Sequence, residues 1–346
     1  MTKKKSNDYW AKRFDQIEQS QNTKSVRFIR ELERKYALAF KEIQTKIEVW
    51  YSRLAKNNLV SVEEARKMLD KNELKEFLWT VEEYIKAGRE NAIDQRWLKE
   101  LENASARFHI RRLEALQLEI RHQIEMLMNE AQTDMYDTLK EVYKDGYYKT
   151  LFEIQKGIGV GFDVSLLNDK KVKNLLMKPW AVDGTDFSSK IWANRTKLVK
   201  TLDQSLSRMV LTGQHPDMVI KEIVKTMDAS KSNARRLVLT EQAYFTTLAQ
   251  KDGYKETGLT EYQIVSIMDG RQCKDCQGHE GEHHPTTDME VGVTAPPFHP
   301  YCRCTTAPYI PDDETLYKVT DVKGETYNVP SNMSFTEWKE LNGINE

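Results

Sequence analysis

The chain has 346 residues, of which 30% are charged and 39% hydrophobic, and its formal net charge is −1. This balance is typical of a globular protein with two or three domains, and it excludes a polyelectrolyte. The charge is nevertheless uneven, because residues 1–60 hold 14 Lys/Arg and 7 Asp/Glu, a local balance of +7. Such a segment is either a solvated helix face, which is the more common case, or a basic face that can meet phosphate.

The sequence also excludes the main membrane and secretory classes. No apolar run approaches the roughly 20 residues that a bilayer-spanning helix needs. The start, MTKKKSNDYW, is positively charged but lacks the apolar stretch of a secretory signal. We therefore expect a cytoplasmic protein. All four cysteines lie within residues 273–304, and in a reducing compartment such clustering favours a metal site over disulfides.

The first half of the chain predicts long helices. Apolar residues three and four positions apart form one stripe from Ile29 to Leu54 and a second from Leu113 to Val142. Between them, Ser61-x-x-Glu64 has the pattern of a capping box that opens another helix. Since no proline occurs before Pro179, we expect an elongated bundle or a coiled-coil-like hairpin.

The glycine-rich segment GIGVG at 157–161 predicts a hinge. A phosphate-binding loop is disfavoured because no strand precedes the segment and no Lys-Ser/Thr pair closes it. Residues 163–190 have the composition of a linker with short helices. A second helical block is expected over about 187–252, with a turn at 213–216 and a new helix capped by Asp228 or Ser230.

The pattern of apolar residues changes after residue 258 from helical spacing to short strand-like segments. The segments 262–268 and 303–310 are short and contain β-branched or apolar residues, which predicts two strands. Ser334-x-x-Glu337 before Trp338 predicts a short terminal helix.

These patterns together predict a mainly α fold, with an elongated N-terminal helical region, a central helical bundle and a small C-terminal α+β zinc-binding module. We expect five segments along the chain: long N-terminal helices (1–160), a linker (161–186), a central helical domain (187–258), the zinc-binding α+β module (259–312) and a tail with a short helix (313–346).

The specific chemical signal is a cluster of thiols and one imidazole. Cys273-x-x-Cys276 forms a knuckle that brings two thiolates together, and His299, Cys302 and Cys304 can complete a tetrahedron, for which zinc is the expected ion. The four cysteines would suffice, as would His299 with three cysteines, which leaves Cys302 or Cys304 spare. Disulfides and free thiols are the alternatives to a metal site. Three further loop histidines could replace one ligand: His279, His283 and His284.

Two motifs stand out near the C-terminus: Met268-Asp269-x-Arg271-x-Cys273-x-x-Cys276 and Pro296-Pro297-x-His299-Pro300-x-Cys302-Arg303-Cys304. Together they resemble the signature of the phage Mu F-like minor head proteins, also called phage head morphogenesis proteins. The segment Leu237-Val238-Leu239-Thr240-Glu241 resembles the family's helix that ends in Thr-Glu, although Leu239 stands where many members have Arg. Tyr9-Trp10-x-x-Arg13 and Val329-Pro330-x-x-Met333-Ser334-Phe335-x-x-Trp338 resemble versions from phages and prophages of Gram-positive bacteria.

The resemblance implies a minor capsid protein carried in several copies in the virion. Such a protein is made in the host cytoplasm, associates with the portal protein and with scaffold or major capsid protein, and lies in the interior of the head. It contacts phage DNA non-specifically and acts in head assembly, DNA packaging or DNA ejection. The resemblance implies no catalytic activity.

Two other functions fit parts of the sequence. His283-His284-Pro285 beside a cysteine knuckle is compatible with a zinc-stabilised nuclease of the His-Asn-His type. The Asn and His expected on a following helix are missing, and Pro296-Pro297 opposes a helix there. A cytoplasmic zinc-binding adaptor unconnected with a virus is the other alternative.

Overall fold

The computed structural model describes residues 5–57, 112–180, 183–212, 216–266, 273–311 and 326–344. These residues are mainly helical, as predicted. The helices are α1 (Asn7–Asn57), α2 (Arg112–Ile158), α3 (Asp169–Leu176), α4 (Phe187–Thr212), α5 (Pro216–Thr257), α6 (Lys274–Gly278) and α7 (Phe335–Leu341). The strands are β1 (Val160–Phe162), β2 (Glu261–Val265), β3 (His283–Pro285), β4 (Thr305–Tyr309) and β5 (Thr326–Asn328), and a 3-10 turn spans Thr286–Asp288.

Both predicted apolar stripes are buried faces of long helices. In α1 the stripe is buried from Ile29 to Ile47, and in α2 from Leu116 to Val142. Residues three and four apart share one helix face, so a single face of each helix supplies core residues over its length. The capping box predicted at Ser61 lies outside the described residues. None of the helices in the described ranges is both long enough and apolar enough to cross a bilayer.

One predicted helix boundary is wrong. No new helix starts at Asp228 or Ser230, because α5 continues without a break from Pro216 to Thr257. Ser230 is buried, and its Oγ lies 2.9 Å from the Tyr36 hydroxyl and accepts a hydrogen bond of 2.8 Å from Asn194 Nδ2. The polar side chain thus bridges neighbouring helices instead of capping its own.

The glycine-rich segment 157–161 ends a helix and begins a strand. Gly159 has φ of +77°, a left-handed conformation that closes α2, and β1 follows directly. Gly157 lies against Trp10, whose ring would be 2.1 Å from a Cβ at that position. The close approach of the Trp10 indole therefore requires glycine at position 157. That the segment 157–161 acts as a hinge stays a prediction.

The chain divides into two compact units. Unit 1 comprises Met1–Phe28, Met135–Trp180 and Arg236–Glu346, and unit 2 comprises Ile29–Asp134 and Ala181–Arg235. The boundaries fall inside the long helices α1, α2 and α5, so each of these helices contributes to both units. The five-segment division expected from the sequence stays a prediction.

Unit 2 combines apolar packing with ion pairs between helices. Arg195 of α4 pairs with Glu125 of α2, whose side chain is fully buried, and Arg121 pairs with Asp203. Lys46 of α1 lies 3.2 Å from Glu119 of α2. Burial of an unpaired carboxylate costs free energy, so Arg195 stabilises the buried charge of Glu125.

Unit 1 contains an antiparallel sheet in the order β3-β2-β4. The register places Tyr262 opposite His284 on one side and opposite Pro308 on the other. The apolar core beneath this sheet joins α1, the ends of α2 and α5, and the loops before β4; its buried members include Trp10, Phe14, Ile17, Tyr254, Tyr262, Ile264, Cys276, Cys302, Cys304 and Ala307.

The C-terminal segment also belongs to unit 1. Strand β5 pairs antiparallel with β1, and α7 begins with the predicted capping box, in which Ser334 and Glu337 bond reciprocally. Trp338 is completely buried, and its Nε1–H donates to Gln155 Oε1 at 2.8 Å. The tail is therefore anchored on the end of α2.

Candidate metal centre

The first pair of thiols is held by a single helical turn. Cys273 is the N-cap of α6, and its Sγ accepts a hydrogen bond from the backbone N–H of Cys276 at 3.4 Å. This turn follows the sheet strand β2 and directs both sulfurs to one side. The Cys-x-x-Cys spacing thus produces the knuckle that the sequence predicted.

His299 faces this knuckle through one ring nitrogen. Its Nε2 lies 3.1 Å from the Sγ of Cys273 and 3.1 Å from the Sγ of Cys276. Its Nδ1 lies 2.7 Å from the carbonyl oxygen of Pro300, which can only accept a hydrogen bond. That contact requires the proton on Nδ1 and leaves the Nε2 lone pair directed at the two sulfurs, an arrangement common among metal-binding histidines.

The second pair of thiols lies where the chain enters β4. Tyr301 adopts φ of +65°, and the N–H of Cys302 donates to the carbonyl of His299 at 3.1 Å. This turn brings the Sγ of Cys302 to 3.9 Å from that of Cys276. Cys304 is buried two residues further on, and its Sγ lies 3.6 Å from the hydroxyl of Ser266.

The five predicted ligands form two overlapping groups. Cys273, Cys276 and His299 make one group and Cys276, Cys302 and Cys304 the other, and the ligand atoms within each group lie within 4.8 Å of one another. A tetrahedral zinc ion would separate two thiolates by about 3.8 Å and a thiolate from an imidazole nitrogen by about 3.6 Å. The observed separations are close to these values, so the cluster can hold a metal ion, with Cys276 common to both groups.

The protonation of the thiols differs from one cysteine to the next. The pKa of Cys273 is lowered, chiefly because its sulfur accepts the backbone N–H of Cys276, whereas burial raises the pKa of Cys276. The thiol of Cys304 donates towards Cys302, which lowers the pKa of Cys302 and raises that of Cys304.

The alternatives to a metal centre are disulfide bonds and free thiols. All four cysteines are free thiols. The 3.9 Å between the sulfurs of Cys276 and Cys302 is well beyond the roughly 2.05 Å of a disulfide bond.

Asp269 and Arg271, which precede the first cysteine in the sequence, lie outside the described residues.

The other three histidines are occupied elsewhere. His279 pairs with Glu282 at 2.7 Å and stacks on Phe298, while His283 lies 3.1 Å from Glu261. His284 lies 3.8 Å from Glu282. Within the described ranges, neither group of candidate ligands includes any of these histidines.

A buried carboxyl near the cluster was not predicted from the sequence. Glu18 of α1 is 4% exposed and accepts a hydrogen bond from Gln242 Nε2 at 2.8 Å. Burial raises its pKa to about 8, and the charge of Cys302 adds to this effect. The apolar spacing of Trp10, Phe14 and Ile17 already marks this face of α1 as core-facing, and that spacing was the available signal.

The Thr-Glu pair at the middle of α5 makes packing contacts. Glu241 is buried and accepts a hydrogen bond of 2.7 Å from Trp180 Nε1, and Trp180 also stacks on Tyr244. The hydroxyl of Thr240 accepts the backbone N–H of Tyr301 at 3.4 Å. The pair thus connects α5 to the turn that carries Cys302.

Comparison with known protein families gives a match, and it covers the part of the chain that contains the candidate metal centre. The family model described as Phage Mu protein F like protein matches residues 200–307. The matched interval contains α5, β2 and all five candidate ligands. No curated protein and no solved structure gives a significant match to the chain. Residues 200–307 are therefore similar to the Phage Mu protein F like family, which confirms the resemblance predicted from the cysteine and histidine motifs.

Proposed function

We propose that the chain is a minor head protein of a tailed bacteriophage that associates with the portal inside the head and acts in head assembly, DNA packaging or DNA ejection. The observation that carries this proposal is the family match over residues 200–307, which coincides with the thiol and imidazole cluster. The protein is carried in several copies and is made in the host cytoplasm before it enters the particle.

The cluster is proposed to be a structural zinc site. Cys273, Cys276, His299 and Cys302 are the four ligands, because His299 Nε2 is 3.1 Å from two sulfurs and Cys302 is 3.9 Å from Cys276. Cys304 is the spare thiol, since it is directed at Ser266 and hydrogen-bonds to Cys302. Four protein ligands leave no open coordination position, which is characteristic of structural rather than catalytic zinc.

The proposed role of the ion is to fix the C-terminal module. The two ligand-bearing stretches are 26 residues apart at Cys276 and Cys302, and they flank the loop that carries β3. Closing that loop through one ion removes conformational freedom from the unfolded chain and holds the sheet edge in place. The family module would then be a rigid platform for contacts with other head proteins.

A nuclease of the His-Asn-His type has less support. His283 lies on strand β3, and the residues that follow form a 3-10 turn at Thr286–Asp288 rather than a helix. The side chains of His283 and His284 face glutamates and do not join the cysteine cluster. We therefore propose a protein without catalytic activity.

The proposed partners are the portal protein, scaffold or major capsid protein, and phage DNA. Contact with DNA would run through phosphates and be insensitive to base sequence. These partners follow from the family, and they predict that the genes on either side encode a portal and a scaffold or major capsid protein.

Quantitative mass spectrometry of purified phage particles tests this function. We expect the protein in intact particles at a few copies per portal ring, with chemical cross-links to the portal protein. A non-viral zinc-binding adaptor would be missing from particles purified through a density gradient. Absence from both procapsids and mature particles would refute the proposal.

A further inference from the structure

The cations of α1 are largely used within the protein. Arg13 pairs with Glu153, and Lys24 lies 2.7 Å from Asp145. Lys35 lies 2.7 Å from Asp134, and Lys46 lies 3.2 Å from Glu119. All four acidic partners belong to α2. The positive balance of residues 1–60 is therefore partly neutralised by the neighbouring helix.

The exposed part of α1 in unit 2 is electrically balanced. Among its described side chains, three exposed cations (Arg30, Arg34, Lys41) accompany three exposed acids (Glu31, Glu42, Glu48). The described side chains of α2 in unit 2 include no exposed charged residue. The described side chains of these two helices therefore offer no net positive surface in this unit.

The hairpin of α4 and α5 is different. Residues 187–236 hold ten Lys/Arg and four Asp/Glu, a balance of +6 in a chain whose total is −1. Four of these cations form what we call the lysine patch: Lys197, Lys200, Lys221 and Lys225. All four are exposed, and none takes part in the ion pairs formed among the described residues.

The register of the hairpin places the four lysines at neighbouring levels along two adjacent helices. Asn194 Nδ2 donates to the backbone and side-chain oxygens of Ser230, which fixes the register of two antiparallel helices. Because the helices run in opposite directions, Lys200, six residues after Asn194, lies level with residue 224, six residues before Ser230. At a rise of about 1.5 Å per residue, the patch spans roughly 9 Å along the helix axes. Spacings of three and four residues keep each pair of lysines on one helix face.

We propose that the lysine patch is the surface through which this protein contacts double-stranded DNA. This inference rests on the proposed function, which includes DNA contact, and it names the residues responsible. A duplex presents one phosphate charge per roughly 1.7 Å of axis, so a 9 Å patch faces about five phosphates. The four lysines form no ion pair among the described residues, so they can bind phosphates without breaking one. Arg13, Lys24, Lys35 and Lys46 of α1 would first have to leave their carboxylates.

Fluorescence anisotropy with a labelled 30-base-pair duplex of random sequence tests the patch, using the full-length zinc-loaded protein at 50 to 200 mM KCl. The patch variant is K197Q/K200Q/K221Q/K225Q. The control K12Q/R30Q/R34Q/K41Q removes four exposed cations from α1 and so changes the net charge equally. Circular dichroism melting checks that both variants are folded.

If all four lysines contact phosphates, the slope of log K against log salt becomes shallower by about 3.6 in the patch variant. The wild type then loses about 150-fold more affinity than the patch variant between the two salt concentrations. A difference from the control of about 2 or more supports the patch. A smaller difference, with wild-type binding intact, overturns the patch but leaves DNA contact standing; absence of wild-type binding at 50 mM overturns both.

Discussion

Replacement of Cys276 by serine should abolish zinc binding, because this residue belongs to both groups of candidate ligands. Its sulfur lies 3.1 Å from His299 Nε2 and 3.9 Å from Cys302 Sγ, so among the described residues it is the candidate ligand that links the two groups. A serine hydroxyl is a poor zinc ligand at neutral pH because it stays protonated. We expect zinc content to fall from one ion per chain to below one tenth.

The cost to stability can be worked from the loop that the ion closes. Cys276 and Cys302 are 26 residues apart, and cross-linking a loop of this length is worth about 3.5 kcal/mol at 25 °C in the chain-entropy model. The thiols are also packed in the apolar core of unit 1, which persists without the ion. For a unit of this size, we expect the melting temperature of unit 1 to fall by roughly 10 °C.

The matched control is Cys304→Ser, which removes an equally buried thiol that we place outside the ligand set. Atomic emission measures zinc in the purified proteins, and differential scanning calorimetry measures melting with and without a strong chelator. Chelation should lower the melting temperature of the wild type and of Cys304→Ser but not of Cys276→Ser. The reasoning is refuted if Cys276→Ser retains one zinc per chain, or if Cys304→Ser loses zinc as completely.

Three further substitutions test the packing of unit 1. Trp338→Ala should cost about 3–5 kcal/mol in urea unfolding, because the side chain is fully buried and bonded to Gln155; a cost below 1 kcal/mol would show that the tail is not anchored. Glu18 has a folded pKa of about 8, above its ordinary value of 4.5, so its contribution is fully present below pH 4.5 and is lost as pH rises to 8. Glu18→Gln should remove that decline, on the order of 4 kcal/mol, in urea unfolding at pH 5 and pH 8, and an unchanged pH dependence would contradict the burial of this carboxyl. Gly157→Ala should lower the melting temperature by several degrees, equivalent to about 1–3 kcal/mol, because its Cβ would meet the Trp10 ring; an unchanged melting curve would contradict that contact.

The long helices were predictable because their signal is local. The stripes from Ile29 to Ile47 and from Leu116 to Val142 repeat every three to four residues, and that spacing alone determines which side of a helix is apolar. The capping box at Ser334 and the short strand β2 were likewise visible, since a few neighbouring residues specify them. Ser230 misled the prediction because a serine on a buried helix face has the same local pattern as an N-cap.

The candidate ligands were predictable as residue types but not as a coordination set. Cys-x-x-Cys spacing implies a knuckle whatever the surrounding fold, and His299 and Cys302 follow in a compact motif. That Cys276 is central and Cys304 faces Ser266 depends on how β2 and β4 approach each other, which the motif does not encode. The burial of Glu18 beside Gln242 has the same origin, because the two residues are 224 positions apart.

The charge distribution shows the same division most clearly. The sequence by itself determined how many cations each segment carries, together with the helical periodicity and the thiol motif, because these depend on composition and on spacing within a few turns. Only the tertiary structure decided that acids of α2 neutralise cations of α1, while Lys197, Lys200, Lys221 and Lys225 form no ion pair with another described residue. The physical reason is that an ion pair requires its two atoms within about 4 Å, and which distant residues approach that closely is set by helix packing rather than by either segment alone.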